Sequence, residues 1–200
     1  MIRVEVDDKL TTLTLDRPDK ANALTPDMLS ELKDAVIAAS EQHALILTGA
    51  GKVFSAGADL DAAKAGLATS PLWEELSSTI ADFQGLTIAA LNGTVAGGAF
   101  GMVLACDLRL AVPTAKFFYP VMKLGFLPQP SDPIRLRAIA GPSTAKRILM
   151  AGEKLTAEMA MKTGLIDQIV DADVLAAATT LAEDALQAER RHVQAIKSMI

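Results

Sequence analysis

Two stretches of small residues, Phe54-Ser-Ala-Gly-Ala-Asp-Leu60 and Asn92-Gly-Thr-Val-Ala-Gly-Gly-Ala-Phe-Gly101, hold the chemistry this sequence is able to do. Each follows an apolar run, Ala44-Leu-Ile-Leu-Thr48 in one case and Thr87-Ile-Ala-Ala-Leu91 in the other, and each leads into a helical pattern. Glycine and alanine at such turns let backbone N–H groups come close to a ligand oxygen, and a helix beginning near Gly98 adds the positive end of its dipole. Two turns of this kind would polarise a carbonyl. Other chemistries lack their residues: there is no nucleophile elbow, no metal-ligand cluster and no phosphate-binding lysine loop. His43, just before an apolar strand, and His192, in the charged run Glu189-Arg-Arg-His192, read as surface residues. Cys106 closes an apolar helix pattern and reads as buried and inert.

The elements that must position these turns follow from periodicity. Ile2–Val6 and Thr11–Leu15 alternate with period two around Asp7-Asp8-Lys9, which predicts an opening hairpin. Pro26 with Thr25 as N-cap predicts a helix whose Met28, Leu29, Leu32, Ala35 and Val36 share one face. Strand, turn and helix then recur as Ala44–Thr48 into Ala56–Asp59 and as Thr87–Leu91 into Gly98–Ala105. Ala62–Pro71 is small and unpatterned and reads as a loop over the site, with a helix over Trp73–Phe83 after it. Asp107 and Arg109 open the next strand with a buried structural polar contact. Downstream, helices are predicted over Pro142–Met150, over Thr156–Thr163 with Thr156 as cap, and over Asp173–Ala188, with one more starting in Glu189–Ile200.

Composition sets the bounds. Two hundred residues, half of them hydrophobic, suffice for one α/β domain with a substantial core. No apolar run approaches the roughly 20 residues of a membrane-spanning helix, and the N-terminus alternates like a strand without an apolar signal core. A single cysteine excludes a disulfide framework, and a cytoplasmic protein is expected. The formal charge of −5 argues against nucleic acid as a partner.

The two turns, together with Leu15-Asp-Arg-Pro-Asp-Lys-Ala-Asn-Ala-Leu24, Leu47-Thr-Gly-Ala-Gly51, Ala105-Cys-Asp-Leu-Arg-Leu110 and Gly164-Leu-Ile-Asp-Gln-Ile-Val170, resemble the crotonase (enoyl-CoA hydratase/isomerase) superfamily in unbroken order from about Met1 to Ile200. The resemblance implies an α/β fold built as a spiral of ββα repeats. Residues 1–188 would be the acyl-CoA-binding core, and 189–200 the start of a truncated C-terminal helical region. It further implies an acyl-CoA thioester as ligand, with coenzyme A present only as part of the substrate and no cofactor bound permanently. Catalysis would proceed by stabilising a thioester enolate, in a homo-oligomer of trimeric or hexameric form.

Carried over by position, the oxyanion donors are the backbone N–H groups of Ala56 and Gly98. The adenosine end of coenzyme A would lie against Lys20-Ala21-Asn22-Ala23-Leu24 and the backbone around Ala56, Ala58, Asp59 and Leu60. Lys20 could meet a phosphate as a point charge or stay a solvated loop lysine; Asn22 and Asp59 read as turn braces or caps. The two glutamates of family hydratases fall on Gly101 and Val121, so both acids are absent. Side chains that could stand in are Tyr119, just before Pro120, and Asp132, just before Pro133. Outward packing competes for the first and helix N-capping for the second. Gln129 could orient water but not exchange a proton, and Asp61 and Glu74 read as surface residues. Phe83, Phe100, Met102, Phe118 and Met122 are candidates to line an apolar acyl pocket or simply to fill the core. The chemistry expected is isomerisation or decarboxylation, with a non-catalytic acyl-CoA binder and a weak hydratase as alternatives.

Overall fold

The computed structural model describes every residue from Met1 to Ile200. The opening hairpin forms as expected, β1 (Ile2–Asp7) paired antiparallel with β2 (Leu10–Leu15), and Thr25 Oγ1 accepts from Met28 N–H to cap α1 (Pro26–Ala38). The chain then winds through β3 (Ala44–Gly49), β4 (Val53–Ser55), α2 (Leu60–Lys64) and α3 (Leu72–Ala81). A second turn of the spiral is β5 (Leu86–Leu91), β6 (Thr94–Ala96) and α4 (Ala99–Ala105), and a third is β7 (Leu108–Ala111), β8 (Lys116–Phe118), α5 (Val121–Leu124) and α6 (Asp132–Leu149). The chain ends with β9 (Leu155–Thr156), α7 (Ala157–Lys162), β10 (Gln168–Ile169), α8 (Val174–Leu181), α9 (Glu183–Gln187) and α10 (Arg190–Lys197).

Each turn of the spiral therefore gives one strand to each of two sheets and then a helix. The six-stranded sheet runs β1-β2-β3-β5-β7-β10, and every neighbouring pair after the hairpin is parallel; the four-stranded sheet runs β4-β6-β8-β9. Parallel strands covered on both faces must be apolar throughout. Accordingly Leu45 and Leu47 face the main core of forty buried residues, while Ala44 and Ile46 face a second cluster of ten with Val174 and Ala178 of α8.

Four local expectations are corrected. The Ala62–Pro71 stretch is not a plain loop: α2 and a 3-10 turn, Leu67–Thr69, occupy most of it, α2 capped by Asp59. The helix expected over Pro142–Met150 is the second half of α6, which bends at Gly141, where φ is 79° and ψ 163°. The Asp173–Ala188 helix is two, α8 and α9, joined at Ala182. His43 is buried beneath α9, with Nδ1 3.2 Å from Ala185 O, because α9 folds back over the end of β3. Lys197 of α10 also returns to the sheet, its ammonium donating to Asp107 Oδ2 at 2.7 Å and Gly85 O at 2.9 Å. Arg109 is the buried polar anchor expected, donating to Leu165 O at 3.0 Å and Cys106 O at 2.7 Å.

Asn22 ties the first spiral turn together. Fully buried with φ at 51°, it accepts from Arg17 N–H at 2.9 Å and donates to Ala50 O at 2.9 Å and Val53 O at 2.7 Å. Asn22→Ala leaves Arg17 N–H and Ala50 O unpaired, leaves Val53 O only the Asn92 amide at 3.3 Å, and places alanine in the left-handed region, which together cost about 3 kcal/mol. The check is urea unfolding, in which the midpoint falls while the slope stays the same.

Candidate functional site

The site is built where the two small-residue turns touch. After β4, Ser55 Oγ donates to Asn22 O at 2.8 Å and accepts from Gly57 N–H at 3.1 Å. Gly57 then takes φ at 89°, and a Cβ on it would sit 2.8 Å from Ala96 O, so only glycine lets the first turn lie against the end of β6. On the other side, Gly97 N–H donates to Phe118 O at 3.1 Å, fixing the second turn to β8. Gly98 opens α4 under the Trp73 indole, which would lie 3.0 Å from a Cβ there. The indole is held in turn by its N–H bond to Leu67 O at 2.8 Å.

Which N–H groups remain available follows from the hydrogen bonds. Ala56 N–H is already donated to Ala21 O at 3.0 Å, so the expectation that Ala56 supplies an oxyanion donor is corrected. Ala58 is different. Leu24 donates to Gly57 O and accepts from Asp59 N–H, both at 2.8 Å, a parallel bridge that turns Ala58's own N–H to the opposite side. Neither Ala58 N–H nor Gly98 N–H has a protein acceptor, and both residues line one cavity of about 260 Å³. Thirteen of its seventeen lining residues are hydrophobic and none is charged. Two unpaired backbone donors on the wall of an apolar cavity are suited to hold an oxygen that gains negative charge.

Tyr119 reaches the same cavity from the end of β8. Contrary to the outward alternative, its ring is buried and stacked on Phe100, with centroids 5.6 Å apart. Its phenol donates to Asp132 Oδ2 at 3.0 Å. Asp132 does not act as an N-cap: Ser131 occupies that position, and the carboxyl of Glu74 reaches from α3 to accept from Ser131 N–H at 3.2 Å and from Ser131 Oγ. Glu74 is therefore not a free surface residue. Asp132 itself is wholly buried behind Tyr119, and its Oδ1 has no partner. Burial, reinforced by the charge of Glu74, pushes its carboxyl up to about 7 against the opposing phenol bond and Arg135. Burial likewise pushes the Tyr119 phenol far above its ordinary value. Asp132 fills the space over Gly101: a Cβ on that glycine would meet Oδ1 at 3.0 Å.

The sequence profile described as enoyl-CoA hydratase/isomerase matches residues 5–200. The chain belongs to the enoyl-CoA hydratase/isomerase family. Its similarity to the protein named "Probable enoyl-CoA hydratase echA14" of Mycobacterium tuberculosis is 35% identity over 206 residues, 98% of this chain and 80% of that one. It is 35% identical to a crotonyl-CoA hydratase of Syntrophomonas wolfei over 183 residues, covering 87% of this chain and 70% of that one. Among solved structures it resembles Pseudomonas aeruginosa DspI with a TM-score of 0.90 at 31% identity, covering 98% of this chain and 78% of that one.

In this member of the enoyl-CoA hydratase/isomerase family, the 3-10 turn Pro18–Lys20 and Ala21 run beside the first site turn through the Ala21 and Leu24 bonds. Lys20 is exposed there and Leu60 is 79% exposed at the cavity mouth. Asp59 braces and caps as expected: it pairs with Arg17 at 2.8 Å and accepts from Asp61 and Ala62 N–H, bonds that hold its carboxyl below the usual range. Asp61 stays exposed. Val121 and Gln129 line the cavity, as does Phe118, whereas Phe83, Phe100 and Met102 belong to the core and Met122 is exposed. Cys106 is buried and its thiol is pushed up to about 12, chiefly by burial. The structure adds what the sequence did not show: the Ala58 donor, the Trp73 wall and the bonds from Ser131 to Glu74.

Two measurements check this geometry. Gly101→Ala is expected to cost about 1–3 kcal/mol by crowding Asp132, and in an Asp132→Ala background to become neutral or stabilising by up to about 1 kcal/mol, as glycine-to-alanine changes in helices are. Equal costs in both backgrounds would refute the contact. The second concerns pH. Above the ordinary aspartate value of about 4, the unfolded chain has lost a proton that the folded chain keeps until about 7. Asp132's contribution to stability therefore falls as pH rises across that window. Asp132→Asn stays neutral and is expected to gain stability relative to the native chain, by a few kcal/mol, between about pH 4 and pH 8 in urea titrations.

Proposed function

We propose that this chain binds an acyl-CoA thioester, holds the thioester oxygen on Ala58 and Gly98 N–H, and isomerises an unsaturated acyl chain through the enolate. The observation that carries the reading is the pair of unpaired backbone donors on one apolar cavity. Each such donor is worth roughly 2.7–4 kcal/mol of barrier when charge develops on the oxygen it faces. The names of the relatives, hydratases of enoyl- and crotonyl-CoA, support a thioester of this class.

Size and charge narrow the reaction. A cavity of about 260 Å³ is just below the usual span of small-molecule pockets, about 300–1,000 Å³, and suits the thioester and a short acyl group, with the nucleotide end outside. In this reading that end runs along Lys20, Ala21 and the Ala56–Leu60 turn, where exposed Lys20 meets a phosphate. No acid stands at Gly101 or Val121, so water lacks the paired carboxylates that would activate it and deliver its proton. Without a charged side chain in the lining, a carboxyacyl group would enter with its charge unpaired, which favours a neutral acyl chain over a decarboxylation substrate.

The test presents purified protein with 3-enoyl-, 2-enoyl- and malonyl-CoA, following binding by calorimetry and products by absorbance and mass spectrometry. Conversion of 3-enoyl- to 2-enoyl-CoA is the expected result. Hydration at an ordinary enzymatic rate would overturn the reading, as would carbon dioxide loss from malonyl-CoA. Binding without conversion would leave a non-catalytic acyl-CoA binder, and no binding would remove the thioester assignment altogether.

A further inference from the structure

Tyr119 and Asp132 form a side-chain pair whose arrangement a purely structural role does not account for. Tyr119 lines the cavity, and the carboxyl to which its hydroxyl donates is wholly buried, touches no solvent and leaves Oδ1 unpartnered. An unpaired buried carboxyl oxygen is costly, and it would be avoided by any of several smaller side chains. Gly101 provides the room for it, since a Cβ there would meet Oδ1 at 3.0 Å. The phenol of Tyr119 is the one ionisable group among the residues that line the cavity.

We propose, resting on the acyl-CoA reading above, that Tyr119 and Asp132 are a single proton carrier: the Tyr119 oxygen takes the proton from the thioester α-carbon as its own hydrogen passes to Asp132 Oδ2, and the unit then returns a proton to the γ-carbon. In the first step the α C–H bond breaks, its electron pair enters the dienolate, and a new Tyr119 O–H bond forms. The original Tyr119 O–H bond breaks at the same time and an Asp132 O–H bond forms, so the negative charge moves from Asp132 to the thioester oxygen held by Ala58 and Gly98. The second step reverses these movements at the γ-carbon. The phenol never holds a full charge, consistent with burial raising its proton affinity. Tyr119 is the catalytic residue, and Asp132 acts through it as the positioning residue that stores the proton.

The groups facing Asp132 set its charge. Glu74 from α3 opposes ionisation, whereas Arg135 on α6, itself bonded to Ser77 Oγ at 3.0 Å, and the Tyr119 phenol favour it. The carrier must begin with Asp132 ionised, a form that dominates above about pH 7. Isomerisation is therefore expected to rise with pH and level off above that value.

The deciding experiment uses 3-hexenoyl-CoA deuterated at the α-carbon, in ordinary water. Because the abstracted label sits on the oxygen of Tyr119, a residue only 5% exposed, most of it is expected to reappear at the γ-carbon of the product. Tyr119→Phe keeps the ring on Phe100 and is expected to bind the thioester within about threefold of native while losing at least about 100-fold in rate. Asp132→Asn is expected to lose the rise with pH, with circular dichroism confirming that it folds. Complete loss of label to water, native turnover in Tyr119→Phe, or an unchanged pH profile in Asp132→Asn would each overturn the proposal. Native protein that binds the thioester without isomerising it would overturn the carrier but leave the thioester site standing. Failure to bind would overturn both.

Discussion

Gly57 lies so close to the end of β6 that the carbonyl of Ala96 would be 2.8 Å from any Cβ added to it. That approach is the constraint from which the site follows. It brings two turns from successive rounds of the spiral into contact, and each turn then leaves one N–H without a partner. Parallel pairing makes the approach possible, because β4, β6 and β8 end on the same side of the small sheet. Trp73, held over Gly98, shuts the back of the resulting cavity with an apolar plate. An oxygen placed there meets oriented dipoles and little water, the condition under which backbone donors act most strongly.

Much of this was legible in the sequence because it depends on local rules. The hairpin, the Thr25 and Thr156 caps and the buried strands were readable from period and capping residues, and the two turns from their glycines. What the sequence did not resolve depends on partners distant in the chain. Ala56 and Ala58 are the same residue type two positions apart, and only the pairing with Ala21 and Leu24 decides which N–H is free. Asp132 before a proline has the look of a cap, but Ser131 holds the N-cap position, its N–H donated to Glu74 fifty-seven positions upstream of it, while the Asp132 carboxyl turns to Tyr119 in the interior. His43 sits in a polar stretch and is covered only when α9 folds back. Three-residue strands such as β4 and β6 are too short to show a period at all.

Asp132 also shows how a buried acid is tolerated. Its burial is costly in the ionised form, yet the Tyr119 phenol and the guanidinium of Arg135 both favour the charge, so neither protonation state is overwhelmingly preferred near neutrality. A carboxyl poised in this way can give up or take back a proton at modest cost in either direction.

The fit between Gly101 and Asp132 also orders the mutational routes open to this chain. A side chain at position 101 presses on the carboxyl above it, a Cβ there lying 3.0 Å from Oδ1, so a larger residue gained at that position while Asp132 stays in place works against this contact. The reverse holds as well, since a bare position 101 leaves Asp132 its full room. Each residue thus changes the cost of substituting the other. The two positions are coupled by steric epistasis, so that the effect of a change at one is set by the residue at the other, independent of any advantage the arrangement confers.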